Sequence, residues 1–196
     1  MFYLKEWNEH LDLNEFYLTC AGKGYMNNCS QKRLVGSIQK EKEWNCWILY
    51  SGETAIGSVA AHSFDDVMGP NTYRILARTC AFTEYSPIKN SHVVTRQNAK
   101  EHQHFTDQFF FPVCLEWAGN NRVFATSNSS DVTLVKTERL IHNYYFPLLE
   151  SLGLVTRIST FMYKNTPQTV WEIHKEPFLS HLNQYPRWAL NEHTHT

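Results

Sequence analysis

The sequence predicts a single α/β domain of the α+β type, with a mixed, mostly antiparallel central sheet and helices on both faces. Three observations carry this expectation. The chain has 196 residues of which 42% are hydrophobic, enough to bury one full core. Its apolar period changes from helical spacing to alternation near residue 44 and returns to helical spacing near residue 105. Glycine, proline and asparagine mark the boundaries between these stretches.

"FYLKEW" reads as a short first strand. "LNEFYLTCAGKGY" places Leu13, Phe16, Leu18 and Cys20 at mixed helical spacings and stops on Gly22 and Gly24. After the turn "NNCS", where Ser30 is a candidate cap, "QKRLVGSIQKEKEW" reads as a second helix with Leu34 and Ile38 on one side. "WNCWILY", the turn "SGET" and "AIGSVAAHSF" then form a hairpin over residues 44 to 64. "MGPN" breaks the chain before "TYRILARTCAF", a strand covered on both faces: Arg74, Leu76, Arg78, Cys80 and Phe82 lie on one, Ile75, Ala77, Thr79 and Ala81 on the other.

"TDQFFFPVCLEWAGN" is an amphipathic helix with Phe105, Phe109, Val113 and Trp117 at steps of four, ended by Gly119. "RVFATSN" is a strand. "VTLVKTERLIHNYYFPLLESLG" is a helix whose stripe is Leu134, Ile141, Tyr145, Leu148 and Leu152, with a kink expected at Pro147. "LVTRISTFMYK" and "QTVWEIHK" are strands around the turn "NTP". The domain is expected to span residues 1–175. Residues 176–196 form a mostly irregular tail, packed on the domain through Trp188 or partly disordered.

Charge excludes some partners. Eighteen lysines and arginines against nineteen acidic residues produce no field favouring nucleic acid or an anionic membrane, so an anionic ligand must be held locally. No apolar run approaches the roughly 18 residues of a bilayer span, and a soluble cytoplasmic protein is expected. Five cysteines without a CxxC pair argue against a disulfide framework or a zinc knuckle. "EHQH" lacks a partner at recognisable ligand spacing and "HTH" falls in a tail expected to be disordered, so no metal is expected.

The order and lengths of the elements resemble the GNAT acyltransferase fold over about residues 1 to 175. "AFTEYS", Ala81 to Ser86, resembles the family's "V-x-P-E-Y-R" at the end of its fourth strand, and "LLESLGL", Leu148 to Leu154, resembles "L-Y-E-K-L-G-F" at the end of its last helix. Phrases such as "NNCS", "GSVAAHSFD", "RILARTC" and "WAGN" resemble proteins carried by tailed marine cyanophages, which would place the protein in the host cytoplasm.

The resemblance implies acetyl-CoA, or another acyl-CoA, as acyl donor and an amine of a small molecule, peptide or protein as acceptor, with direct transfer in a ternary complex. It places the cofactor along the strand end Ala81, Phe82 and Thr83, and its diphosphate at the start of the following helix, at "QHFTDQ": Gln103, His104, Phe105, Thr106, Asp107 and Gln108. The family's loop has glycines there. This chain keeps Gln103 but has Thr106 and Gln108 at the glycine positions and adds the negative Asp107. Lys89, Arg96 and Lys100, in an insertion over roughly 86 to 102, are candidate substitutes, with Thr106 as the helix cap; the insertion reads equally as solvated decoration.

Glu84, or a water it orients, is the candidate general base. Leu149 stands where the family has its acidic tyrosine, which leaves Tyr144 as candidate acid, with His142 as an alternative and Tyr145 assigned to the core. Arg78 and His62 are candidate acceptor contacts, Arg78 for a carboxylate. Alternatively, Arg74 and Arg78 form internal ion pairs with Glu53, Asp65 or Asp66, and His62 is a packing residue. Cys80 reads as buried rather than nucleophilic. A second reading is a catalytically inactive GNAT-like binding module, such as a phage protein engaging a host protein. Either would be a monomer or a homodimer.

Overall fold

The computed structural model describes the backbone of residues 1–22, 31–86, 99–130 and 140–184, and their side chains except at residues 31–34, 83 and 99–104. Among these residues seven strands, β1 (Phe2–Glu6), β2 (Trp44–Ser51), β3 (Thr54–Ser63), β4 (Thr72–Ala81), β5 (Arg122–Asn128), β6 (Val155–Tyr163) and β7 (Thr166–Ile173), form one sheet. Its order is β1-β2-β3-β4-β5-β7-β6, and β4–β5 is the parallel pair among antiparallel neighbours. A parallel pair needs a crossover, and α4 (Ala99–Ala118) lies on it. The expected α+β domain with a mostly antiparallel sheet is the one observed.

Helices cover both faces. α1 (Asn14–Gly22) meets one face of β4, where Cys20 faces Cys80 and the Phe16 and Phe82 rings are 5.3 Å apart; α2 (Gln31–Ile38) lies beside it on β2. α4 takes the other face, with Trp117 edge-on to Trp47 and to Tyr73 and Phe109, Phe110 and Phe111 fully buried. A short α3 (Asp65–Met68) links β3 to β4. Pro112 lies inside α4 and removes one helical hydrogen bond there.

After β5, residues Ile141–Tyr145 form a π-helical turn, with the Phe146 N–H bonded to the Ile141 carbonyl, and α5 (Phe146–Ser151) follows with Pro147 in its first turn. The irregularity expected at Pro147 therefore lies just upstream of it. The β6–β7 turn is Lys164–Asn165, both left-handed at φ 45° and 64°, so β7 begins at Thr166, two residues earlier than "NTP" suggests. α6 (Lys175–Leu182) occupies part of the expected irregular tail: Phe178 and Leu182, one turn apart, are buried, and Phe178 stacks on Phe111 at 4.0 Å. Trp188, His193, His195, the "NNCS" turn, Leu134, Lys89 and Arg96 lie outside the described residues.

One buried polar contact ties α4 to the π-helical turn that leads into α5. Asp107 and Tyr145 are 2% and 3% exposed, and the Tyr145 hydroxyl donates to Asp107 Oδ2. A carboxylate at such depth requires donors. Tyr145→Phe is expected to destabilise the fold by about 1–3 kcal/mol, read as a lower urea midpoint at unchanged slope.

Candidate functional site

β4 and β5 pair over only three positions, Thr72↔Arg122, Tyr73↔Val123 and Arg74↔Phe124. Beyond Arg74 the strands separate, although β4 continues to Ala81 and β5 to Asn128. The cause lies on the opposite edge of β4. Between Ser58↔Cys80 and Ala60↔Ala77, and again between Ala60↔Ala77 and His62↔Arg74, β3 advances two residues while β4 advances three. Each step is a bulge that holds one extra β4 residue and bends the strand. Each also contains a residue in left-handed backbone, Arg78 at φ 52° and Leu76 at φ 55°. Neither is glycine, so the conformation is costly and the surrounding bonds must enforce it.

Those bonds are present. The Thr79 hydroxyl donates to the Leu76 carbonyl at 2.7 Å, and the buried Ser58 hydroxyl donates to the Arg78 carbonyl at 3.2 Å. Two extra residues cancel in parity, which is why Arg74, Arg78, Cys80 and Phe82 still share the face of α1 and α2, as simple alternation predicts.

The Phe82 N–H donates to the Ile56 carbonyl at 2.8 Å and so faces β3. Alternation turns the Ala81 amide the other way, into the opening. Thr83 and Glu84 follow in a single 3₁₀ turn, Thr83–Tyr85, with Glu84 exposed. Tyr144 lies on the π-helical turn that follows β5 in the chain and is 37% exposed. On the same turn, His142 Nδ1 is 2.8 Å from the Ser127 hydroxyl of β5, which also accepts the Trp171 indole N–H at 2.8 Å.

The segment Gln103–Gln108 does not open its helix. α4 is described from Ala99, so the amides from Gln103 onward lie at least four residues in and donate along the helix. Thr106 is therefore no cap. Phe105 is 2% exposed with its ring 5.0 Å from that of Phe2, Asp107 is held by Tyr145, and Gln108 is 9% exposed; Thr106 remains half-buried. Burial of Phe105 extends the apolar stripe of α4 upstream, so the helix begins before "QHFTDQ" rather than at it. The side chains of Lys100, Gln103 and His104 lie outside the described set.

The expected carboxylate partners of Arg74 and Arg78 are engaged elsewhere or remote: Asp65 accepts the Thr72 N–H, Asp66 lies 3.7 Å from Lys42, and Glu53 is exposed in the β2–β3 turn. Arg78 instead donates through Nε to Ser37 Oγ of α2 at 2.8 Å and reaches Tyr163 OH at 3.5 Å. Arg74 Cζ lies 5.9 Å from the Tyr163 ring centroid, and its Nε is buried with no hydrogen-bond partner among the described residues. Burial, reinforced by Arg78, brings the Arg74 guanidinium down to about 10.

His62, opposite Arg74 on β3, is 4% exposed and donates through Nδ1 to the Ser63 carbonyl at 2.7 Å, with Glu41 Oε2 3.8 Å away. Burial lowers its pKa below 6.5. The unfolded chain then binds more protons between that lowered value and 6.5, so stability falls as pH falls through this window. Melting temperatures at pH 7.5 and 5.5 are expected to differ less for His62→Gln than for the unaltered protein.

Cys80 is 5% exposed with Sγ 3.7 Å from Cys20 and 3.4 Å from the Ser58 hydroxyl; hydrogen bonding from Cys20 is the main influence lowering its pKa. Burial pushes Cys46 and Cys114 up to about 12. Among the described residues no group of three or more His, Cys, Asp or Glu side chains could hold a metal, and no helix is long and apolar enough to cross a membrane.

A sheet that splits between a parallel pair after a bulged fourth strand, with the crossover helix on one face and two helices on the other, is the architecture of GNAT acyltransferases. Compared by sequence, the chain matches no family model and none of the curated proteins. Compared by structure, it resembles FeeM, an N-acyl amino acid synthase from uncultured soil microbes, at 10% identity and TM-score 0.54, covering 92% of this chain and 94% of that one. It also resembles the aminoglycoside acetyltransferase AAC(6')-Ib in complex with coenzyme A, at 13% identity and TM-score 0.53, covering 92% and 98%. The same enzyme with coenzyme A and kanamycin aligns at 11% identity and TM-score 0.52, again over 92% and 98%. The fold is GNAT-like.

Proposed function

We propose that the protein is an acyl-CoA-dependent N-acyltransferase that moves an acetyl group to a primary amine by direct transfer in a ternary complex. The observation that carries this reading is the opening between β4 and β5, widened by two bulges, with Glu84 in the turn that ends β4. The donor supplies a thioester, activated enough that an amine can attack without a covalent enzyme intermediate. One C–N bond forms as one C–S bond breaks.

The chain's own groups do the rest. The Ala81 amide offers a hydrogen bond to the ligand along β4. Glu84, or a water it orients, accepts the proton that the amine loses, and the Tyr144 hydroxyl returns a proton to the sulfur. Thr83, Gln103, His104 and Thr106 remain candidates for side-chain contact with the ligand, and Lys100 for contact with its phosphates. We assign residues 1–175 to this domain and α6 to the segment that closes it.

A second reading, a GNAT-like binding module without catalysis, draws on a specific feature. No glycine occurs between Gly69 and Gly119, and the amides of Gln103–Gln108 are committed to α4. Titration with acetyl-CoA separates the two. Saturable thermal stabilisation not reproduced by adenosine diphosphate supports the transferase, since a ligand that binds only the folded state raises its melting temperature. No shift at millimolar acetyl-CoA selects the binding module.

A further inference from the structure

We infer that the acceptor is a small amine that carries a carboxylate, of the amino-acid kind, and that Arg74 and Arg78 bind that carboxylate at the closed end of the opening. The inference deepens the transferase reading and rests on it for the role of acceptor. Its physical basis is an imbalance of charge and of hydrogen bonds.

Arg74 belongs to the last paired position of β4 and β5, and Arg78 emerges from the bulge that follows; both project on the α2 face and converge on Tyr163. Among the described residues the nearby carboxylate is Glu41, which lies 3.8 Å from His62 Nδ1. Burial keeps His62 neutral near pH 7, so two guanidiniums face one carboxylate and a single positive charge is uncompensated. Lys164 at the rim, 5.2 Å from the Tyr163 ring, adds to the same sign.

Hydrogen bonding is incomplete at the same place. Arg74 Nε is buried and unpartnered on one lip of the opening. Thr126 Oγ1 is buried and unpartnered on the other, two residues along β5 from Phe124, which is Arg74's register partner, and therefore on the same sheet face. Buried polar groups are rarely left so, and a guanidinium least of all. A planar monoanion between two arginine forks satisfies them. Glu41 disfavours a dianion such as a phosphate monoester. Bound this way, the acceptor has its carboxylate at the closed end and its amine directed along β4.

The test compares acids with their amides on the intact, unmodified protein. Thiol release from acetyl-CoA is followed with alanine, phenylalanine and β-alanine, with the three matching carboxamides, and with phosphoethanolamine. The expected result is a kcat/KM about tenfold or more higher for at least one acid than for its amide, with the difference in KM, and loss of most of that preference in Arg78→Met. Amides used as well as acids, or a preference for phosphoethanolamine, overturn the carboxylate site while leaving the transferase reading intact. Where no thiol is released, calorimetric titration with the same acid and amide pairs decides. Acid-selective binding that Arg78→Met abolishes upholds the anion site and removes the transferase reading, whereas equal or absent binding of both members overturns the site.

Discussion

Glu84→Gln is expected to lower kcat for acetyl transfer by about 100-fold or more, the range over which a positioned base assists proton removal, while leaving acetyl-CoA affinity within about twofold. Glutamine keeps the shape and loses the proton-accepting charge. The expectation follows from where the residue stands: in the 3₁₀ turn that ends β4, exposed, just past the Ala81 amide that alternation turns into the opening. Single-turnover thiol release, run beside a calorimetric titration of acetyl-CoA, separates chemistry from binding. A rate within about threefold of the unaltered protein would remove Glu84 from the mechanism, and Tyr144→Phe measured the same way would then show whether that hydroxyl contributes proton transfer at all.

Among the described glycines, Gly57→Ala is expected to be the most damaging alanine substitution. A Cβ at Gly57 would sit 2.8 Å from the Cys80 carbonyl oxygen and 3.3 Å from Phe110 Cζ. The first is backbone and cannot swing aside, and the second belongs to a ring that is 1% exposed in the core. Either β4 separates further from β3 or the ring leaves its rotamer, at a cost of about 1–3 kcal/mol, which for a chain of this size lowers Tm by several degrees, at about 2–4 °C per kcal/mol. Gly22→Ala is the control, since nothing lies within 4 Å of the added carbon. Equal melting temperatures for the two variants would show that β4 does not lean on β3 as closely as the register requires. Because Gly57 pairs with Ala81, the same variant should also weaken acetyl-CoA binding.

Periodicity made most of the sheet legible. Alternation in "WNCWILY" and "AIGSVAAHSF" predicts the β2–β3 hairpin, and Gly119 and Gly153 mark where α4 and α5 stop. The bulges were not legible, because the residues that adopt left-handed backbone are leucine and arginine rather than glycine or asparagine, and only the hydrogen bonds of Thr79 and Ser58 reveal why they do so. The start of α4 was missed for a related reason. "EHQH" carries no boundary signal, and nothing local to it registers that Phe105 is buried against β1.

Asp107 left a trace that sequence reading could have used. A carboxylate flanked by Phe105 and Phe109 on a core-facing helix is either a ligand contact or an internally bonded group, and the nearby tyrosines of "NYYF" were available donors. Arg74 and Arg78 left a similar trace, and only the geometry shows that the expected acids are engaged elsewhere.

The left-handed residues of β4 also bear on how quickly a ligand can enter. For β4 to close against β5 along its outer half, Leu76 and Arg78 would both have to cross to extended backbone and the bonds from Thr79 and Ser58 would have to break. The gap is thus a standing feature of the unliganded chain. Stopped-flow association with a fluorescent acyl-CoA analogue should then give one exponential whose rate constant rises linearly with concentration, without the plateau that a slow unzipping step would impose.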